Sequence, residues 1–203
     1  MSDHFIHPFA IVETDRIGNG TRIWAFTHLM KVASIGDNCN IGDHRFVESG
    51  AIIGNDVTIK YGNAIREGVS LQDGMFVGPR VFFTNDLHPR SQGMLAAKKR
   101  YATRQWLAPT LVMRGASLGA GAVILGGTML HEFCMVGTGA IITKDVPAYA
   151  LVVGNPAHIA GWVCQCGCRL HFESTTATCE TCGLFFVAKG NVLSPATGAA
   201  LSP

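Results

Sequence analysis

ASIGDNCNIGDHRFVESGAIIGNDVTIK, residues 33–60, returns an aliphatic side chain at every sixth position: Ile35, Ile41, Val47, Ile53 and Ile59. Stepping outward by six collects Ile11, Ile17, Ile23 and Leu29 on one side and Ile65, Leu71, Val77 and Phe83 on the other. Four residues after most of these stands a compact one: Thr21, Thr27, Ala33, Cys39, Ala51, Val57, Asn63, Val69 or Val81, with Asp15 and Arg45 as the main exceptions. Gly, Asn and Asp gather between them, as in IGDNCN, IGDHRF and IGNDVT, and supply the positive φ that tight turns need. A period of six is neither 3.6 nor 2, so it fits neither a continuous helical face nor a simple hairpin sheet. Short strands joined by tight turns and wound into a prism, with one apolar residue per side pointing at the axis, explain it.

The beat fails once. FFTNDLHPRSQGMLAAKKRYATRQWLAPT, residues 82–110, is polar and irregular, and beyond it the pattern resumes at Val112, Leu118, Ile124, Leu130, Val136 and Ile142. The compact partners there are Ala116, Ala122, Thr128, Cys134, Ala140 and Val146. The step from Phe83 to Val112 is not a multiple of six, so residues 84–111 read as a loop thrown out from the coil rather than as degenerate repeats. A long loop with both ends in ordered structure, carrying Tyr101 and Trp106, points to function.

The 203 residues suffice for one substantial core and a small appendage. Sixteen Lys and Arg against fourteen Asp and Glu leave a net charge of +2, too small a field to imply nucleic acid or a membrane surface as partner. No apolar run reaches the roughly 18 residues of a membrane span, and MSDHFIHPFA has no signal-peptide pattern. The expected setting is the bacterial-type cytosol.

Several segments resemble one family. The hexads are similar to those of the hexapeptide-repeat acyltransferases, which form a left-handed parallel β-helix, an exception to the usual right-handed crossover. HPFAIV near the start, RIWAFTH at 22–28, VGPRVFFTND at 77–86, HPRS at 88–91 and KDVPAYALVVGNPAHIAGW at 144–162 resemble the nucleotide-sugar N-acetyltransferases of 3-amino sugars, including those acting on UDP-linked 2,3-diamino sugars and their uronic acids. The resemblance covers residues 1–162. It implies an all-β fold, acetyl-CoA as cosubstrate, a UDP- or dTDP-linked amino sugar destined for surface polysaccharide, and a homotrimer with its sites in clefts between adjacent β-helices. The loop 84–111 would then reach across to a neighbour.

Acetylation of an amine needs proton removal, oxyanion stabilisation and juxtaposition of two substrates. Asn85 and Asp86, where the coil gives way to the loop, are suited to orient an amine, although such a pair also commonly caps a turn. By resemblance, Asn85 holds the amino sugar, and the thioester sulfur finally receives the proton. His88 is the nearest candidate base. Arg90 suits a carboxylate or diphosphate, whereas Lys98, Lys99 and Arg100 read as a solvated basic run. Trp24 and His28 match family positions near the cleft and fit equally well as packing residues of the early coils. For acetyl-CoA the resemblance points to Gly137, Gly139, Ala140, Lys144, Asn155 and Pro156. Two departures stand out: His158 follows the NPA triplet where a cation is usual, and His131, Glu132 and Phe133 replace a Gly-containing turn.

CQCGCRLHFESTTATCETCGLFF, residues 164–186, holds Cys164, Cys166, Cys179 and Cys182 in two close pairs, with Gly167 and Gly183 following. This is the spacing of a zinc ribbon, expected over residues 163–188, in which four thiolates close the shell of a structural ion. Cys168 and His171 are spare candidates, and metal-free disorder is the alternative. Residues 189–203 have the composition of a tail and are assigned no structure. O-acetyl transfer and a non-catalytic scaffold whose ribbon binds a partner are the competing functions. A carbonic-anhydrase-type hydratase lacks the closely spaced His pair it requires.

Overall fold

The computed structural model describes residues 3–190 and 192–196. Three sheets of nine, seven and five strands form the sides of a prism. Most strands are two residues long: Arg22–Ile23, Asn40–Ile41 and Thr58–Ile59 stack on one side, His28–Leu29, Phe46–Val47 and Ala64–Ile65 on the second, and Ser34–Ile35, Ile52–Ile53 and Val69–Leu71 on the third. Neighbours are parallel and separated by three hexads of sequence, as in Asn40↔Thr58, Phe46↔Ala64 and Ser34↔Ile52, so three hexads make one coil. This is the parallel β-helix that the period of six predicts.

The last residue of each of these strands points inward. Ile23, Leu29, Ile41, Val47, Ile59, Ile65, Val77 and Phe83 are buried in one continuous column of core. Full burial of such a side chain contributes about 1.5–3 kcal/mol. Between strands the chain must turn by about a third of a circle in very few residues. It does so with one positive-φ residue per corner, three positions after each inward aliphatic, at residues 20, 26, 32, 38, 44, 50, 56, 62, 68, 74 and 80. Glycine takes five of these corners, but Phe26, Val32, His44 and Arg80 take others, where an L side chain is strained. Turn composition alone therefore marks only some of the corners.

The count of six starts later than expected. Val12 pairs with Leu29 and packs on the core, while Ile11 faces outward. Val12 stands one position nearer in sequence to its partner Leu29 than Ile17 does to its partner Ile35, so the turn at 13–16 is one position short. Thr14 fills it, its buried hydroxyl donating to the Ala33 carbonyl at 2.7 Å.

Across the irregular stretch the step changes. Phe76 pairs with Thr58 three hexads back, and on its other side with Ser117, which lies beyond the loop. The extra chain in that second step belongs wholly to the loop, and the solenoid continues in register beneath it. The loop itself contains the α-helix Leu95–Tyr101 and a 3-10 turn at Arg104–Trp106. No described helix is long and apolar enough to cross a membrane.

The solenoid ends in an antiparallel hairpin, Ala150–Gly154 against Ala157–Trp162. A small module follows, with its own three-stranded antiparallel sheet of Thr176–Thr178, Phe185–Lys189 and Val192–Pro195. The third strand corrects the sequence reading: the segment after Lys189 is not structureless, because Leu193 is buried with Phe186 in the module's core. The remainder of the expected tail, 197–203, lies outside the described residues.

Arg45 occupies the inward corner position held by Thr27 and Asn63 in the adjacent coils and Val81 two coils on. Its guanidinium folds back over Gly42, where a Cβ would stand 2.7 Å from Nη1, and donates to the Asp43 carbonyl at 3.2 Å. Nε and Nη2 are buried without a partner. Burial lowers its pKa to about 9, against the opposing pull of Asp43. A buried cation with unmet donors is costly. Arg45→Val is expected to raise the thermal unfolding midpoint at pH 7.5, with a stabilisation of about 1–3 kcal/mol; a lower midpoint would show that the guanidinium holds the corner together.

Candidate active site

The loop is rooted on the coil below it and the coil above. Asn85 Nδ2 donates to the Glu67 carbonyl at 3.2 Å, and its backbone carbonyl accepts from the Ala108 amide at 2.9 Å, closing the loop's neck. Gly126 N donates to Thr84 Oγ1 at 2.9 Å. Leu107 lies over Gly68, a positive-φ corner where a Cβ would meet it at 3.2 Å. Arg104 pairs with Glu67. Asn85 is thus held by its amide nitrogen, and no hydrogen bond among the described residues engages its Oδ1.

Asp86 has a different environment from the one its place beside Asn85 suggests. Oδ2 accepts from the Tyr101 hydroxyl at 2.6 Å, and Oδ1 accepts from the His88 amide at 2.9 Å and from Arg100. Burial raises its pKa, but Tyr101, the His88 amide and Arg100 together outweigh this and hold the carboxyl below the usual range. Tyr101 also accepts from the Arg90 amide at 2.9 Å. Asp86 therefore fastens the helix Leu95–Tyr101 back onto the loop's root. Arg100 belongs to this staple and not to a solvated run; Lys98 and Lys99 are exposed. Sequence reading misses Arg100 and Tyr101 as site-forming residues because only the fold-back of the helix brings them to Asp86.

His88, Arg90, Met94, Ala97 and Arg100 border a cavity of about 310 Å³ beneath the helix. The Arg90 guanidinium reaches only the Pro89 carbonyl and is exposed. Asn85, Asp86, His88 and Arg90 thus come together. Trp24 and His28 do not join them within one chain: Phe82 pairs into the same sheet as His28 three coils on, about 14 Å along the axis. Trp24 Nε1 donates to Asn40 Oδ1 at 2.7 Å and packs against Phe5. His28 Nε2 lies 2.7 Å from Glu13 Oε1, and this imidazole holds the Glu13 carboxyl below its usual range.

The residues expected for acetyl-CoA occupy the last coils. Ile142 pairs with Ile124, so Lys144 leaves the prism at the same corner as Gly126, one coil beyond the loop's root and exposed. Asn155 and Pro156 form the exposed tip of the final hairpin. Gly137 packs under Val153, and Gly139 is a positive-φ corner with open space where a side chain would be. Ala140 is corrected: the whole residue is buried in the core, beneath the inward corner, and presents no surface to a ligand. In the departing turn, Glu132 pairs with Arg114 at 2.9 Å, and Phe133 is the positive-φ corner.

Cys164, Cys166, Cys179 and Cys182 place their sulfurs within 4.8 Å of one another. Cys164 and Cys182 are 3.3 Å apart, and Cys166 and Cys179 are 3.5 Å apart. Four sulfurs at about 2.3 Å from one ion would be separated by about 3.8 Å, so the cluster fits. Burial raises the Cys179 thiol, yet the amides of Cys182 and Thr181 and the neighbouring thiols of Cys166 and Cys182 outweigh this and hold it below the usual thiol range, while burial pushes Cys164 up. Cys168 lies outside the cluster, its sulfur 3.1 Å from Thr181 Oγ1, and His171 is exposed.

Residues 16–44 match the family described as bacterial transferase hexapeptide (six repeats). Over 185 residues the chain is 50% identical to the dTDP-3-amino-3,6-dideoxy-alpha-D-galactopyranose 3-N-acetyltransferase of Aneurinibacillus thermoaerophilus, covering 88% of each chain. Among solved structures, the acetyltransferase domain of PglB from Neisseria gonorrhoeae FA1090 is 18% identical with a TM-score of 0.53, covering 77% of this chain and 57% of that one. The same domain in complex with acetyl coenzyme A gives a TM-score of 0.52 at 18% identity, covering 77% of this chain and again 57% of that one. At these identities the two structures show the fold alone.

The staple at Asp86 carries a pH dependence. A carboxyl whose folded pKa is depressed stabilises above its unfolded value and loses this as pH falls through the folded one. Cleavage within 87–106 by a protease active in acid is expected to accelerate below about pH 4. With a protease active at neutral pH, Asp86→Asn is expected to be cleaved within the same segment faster than the parent at pH 7; equal cleavage of both proteins would show that the helix is held by other contacts.

Proposed function

Because this chain belongs to the hexapeptide-repeat N-acetyltransferases of nucleotide-linked 3-amino sugars, we propose that it transfers the acetyl group of acetyl-CoA to the 3-amino group of a dTDP- or UDP-linked sugar used in surface polysaccharide. The observation that carries this reading is the 50% identity over 88% of both chains with the dTDP-amino-sugar enzyme, a span that includes most of the solenoid and its loop. The neutral amine attacks the thioester carbonyl, a C–N bond forms, and the C–S bond breaks to release the CoA thiolate, which takes the proton the amine loses. Asn85 Oδ1 accepts a hydrogen bond from the amine and aims its lone pair. Asp86 acts as a positioning residue, since both its oxygens are engaged. His88 stands beside the cleft as the available imidazole, and Arg90 offers a free guanidinium to an acidic group of the acceptor.

Acetyl-CoA takes the last coils, with backbone at Gly137 and Gly139 allowing close approach and Lys144 meeting phosphate. Asn155 and Pro156 close the far end. The active unit is a homotrimer. Supporting this, the loop exposes Leu87, Met94 and Leu95, the last 86% exposed, and the second face of the prism exposes Ile11 and Phe82; such apolar surface favours cover by another copy. Trp24 and His28 would enter the site from that neighbour. The four-cysteine cluster holds zinc as a closed structural centre, which leaves no open coordination position for catalysis.

Thiol release from acetyl-CoA, measured across dTDP- and UDP-linked 3-amino sugars and their 3-hydroxy counterparts, tests the assignment. Turnover is expected with the amines, and Asn85→Ala is expected to lower kcat/KM by about 10²-fold or more. Turnover confined to the hydroxyl acceptors would overturn N-acetylation, and full activity of Asn85→Ala would remove the proposed site.

A further inference from the structure

The turn His131–Glu132–Phe133 is not used by the acetyl-transfer reading above, and it breaks a local rule. Phe133 sits at a corner with φ 55°, where the equivalent corners at 115, 121, 127 and 139 carry glycine. Its ring repays that strain by stacking on Tyr149, with centroids 5.5 Å apart and planes 14° from parallel. Tyr149 in turn meets Phe186 of the C-terminal module edge-on at 5.3 Å. The socket demands a glycine below it: a Cβ on Gly115 would stand 2.4 Å from the Phe133 ring.

The cysteine cluster is strapped to this socket and to the final hairpin. Val163 N donates to the Tyr149 carbonyl at 2.8 Å, and Leu170 N donates to the Trp162 carbonyl at 2.9 Å. Gln165, between two of the cysteines, donates to the Tyr149 hydroxyl at 3.2 Å, and Arg169 donates to the Ala160 carbonyl at 2.9 Å. Cys164 follows closely on the hairpin's last strand, which ends at Trp162. The hairpin's first strand already joins the nine-stranded sheet beside Met135–Val136, whereas its second strand, Ala157–Trp162, is the sheet's edge. The module's contacts fall on that outer strand and its approach, and a core as small as the module's needs a staple. Metal binding in such a segment is folding free energy, and these bonds pass it to the hairpin.

We propose that the four thiolates bind one zinc ion and that this ion fixes the hairpin 150–162 against the last coil, so that metal occupancy sets the affinity for acetyl-CoA and not the rate of acetyl transfer. The kinetic half of this rests on the acetyltransferase reading above. The ion is a positioning centre: it touches neither substrate, and it acts through the placement of the Gly154–Asn155–Pro156 tip.

The test uses the full-length enzyme as purified, the same enzyme stripped by a chelator under reducing conditions, and Phe133→Gly, which keeps every thiol and suits the left-handed corner. Zinc is measured by mass spectrometry, initial rates are taken against acetyl-CoA, and amide exchange is followed at 150–162. One zinc per chain is expected. Stripping is expected to raise KM for acetyl-CoA about tenfold, roughly 1.4 kcal/mol of lost binding, with kcat changed less than about twofold. Exchange at 150–162 should quicken while residues 17–83 stay protected, and added zinc should reverse both effects. Phe133→Gly should shift KM and exchange in the same direction with zinc still bound. A purified protein that holds no zinc and takes none up would overturn the metal site. Unchanged exchange at 150–162 after stripping would overturn the positioning role, as would a fall in kcat at constant KM. If no acceptor is acetylated, the acetyltransferase reading fails, while metal content and exchange still decide for or against the metal-held hairpin.

Discussion

Each corner of the prism has to turn the chain within a few residues and still deliver an aliphatic side chain to the axis. A single residue in the left-handed region, repeated every six positions, satisfies both demands. Everything else hangs on that repeat. It keeps strands of two residues in parallel register, it stacks Ile23, Ile41, Ile59 and Val77 over one another as a core, and it makes three faces of nearly constant shape. Because the core is a column and not a globule, an insertion at one corner costs the coils above and below very little. Loop-closure entropy grows only slowly with length, and the pairing of Phe82 with Val123 shows the register resuming intact.

That tolerance leaves room for the loop. The loop leaves where Phe83 ends its strand and returns at Thr110, so its neck is bounded by one coil's Glu67–Gly68 corner and the next coil's Gly126. Asn85 is fixed at the rim by an amide contact to a backbone carbonyl, which is as rigid as the solenoid itself. The carboxylate next to it is spent within the loop, on Tyr101, Arg100 and an amide. Two adjacent polar residues thus have different partners: Asn85 ties the loop's root to the coil below, and Asp86 ties the loop's own helix to that root. Lys144 stands exposed at the same corner two coils on from Asn85.

The C-terminal module solves a different problem. A solenoid's last coil has an exposed end, and here that end is a hairpin whose first strand joins the nine-stranded sheet and whose second strand is its edge. Tyr149 belongs to the hairpin's approach and also to the core of the module, and Phe133 gives up an easy glycine corner to stack beneath it. A strained residue kept in place by the packing it enables is the pattern expected where one element is seated on another. The four sulfurs complete that seat.

How much of this is legible in the sequence varies with the range of the interaction. The period of six states the prism, the inward residues and the break at 84, because each hexad repeats one local geometry and the column needs nothing longer-ranged. The cysteine spacing likewise announces a four-thiol cluster, since two short turns present the ligands. Composition places glycine, Asn and Asp at the corners but cannot place Val32, His44 or Phe133 there, as packing and not propensity holds those three. Ile11 counts as inward by the period although the turn at 13–16 is one position short, a deletion seen only when Val12 pairs with Leu29. The partners of Asp86 lie far along the chain, at Arg100 and Tyr101, on a helix whose direction no periodicity states. The strand Val192–Pro195 has polar, tail-like surroundings and becomes a strand only because the edge of Phe185–Lys189 is there to pair with it. Repetition of a local geometry can be read from sequence, whereas the fold-back of one segment onto another is decided by which surfaces the tertiary structure brings into contact.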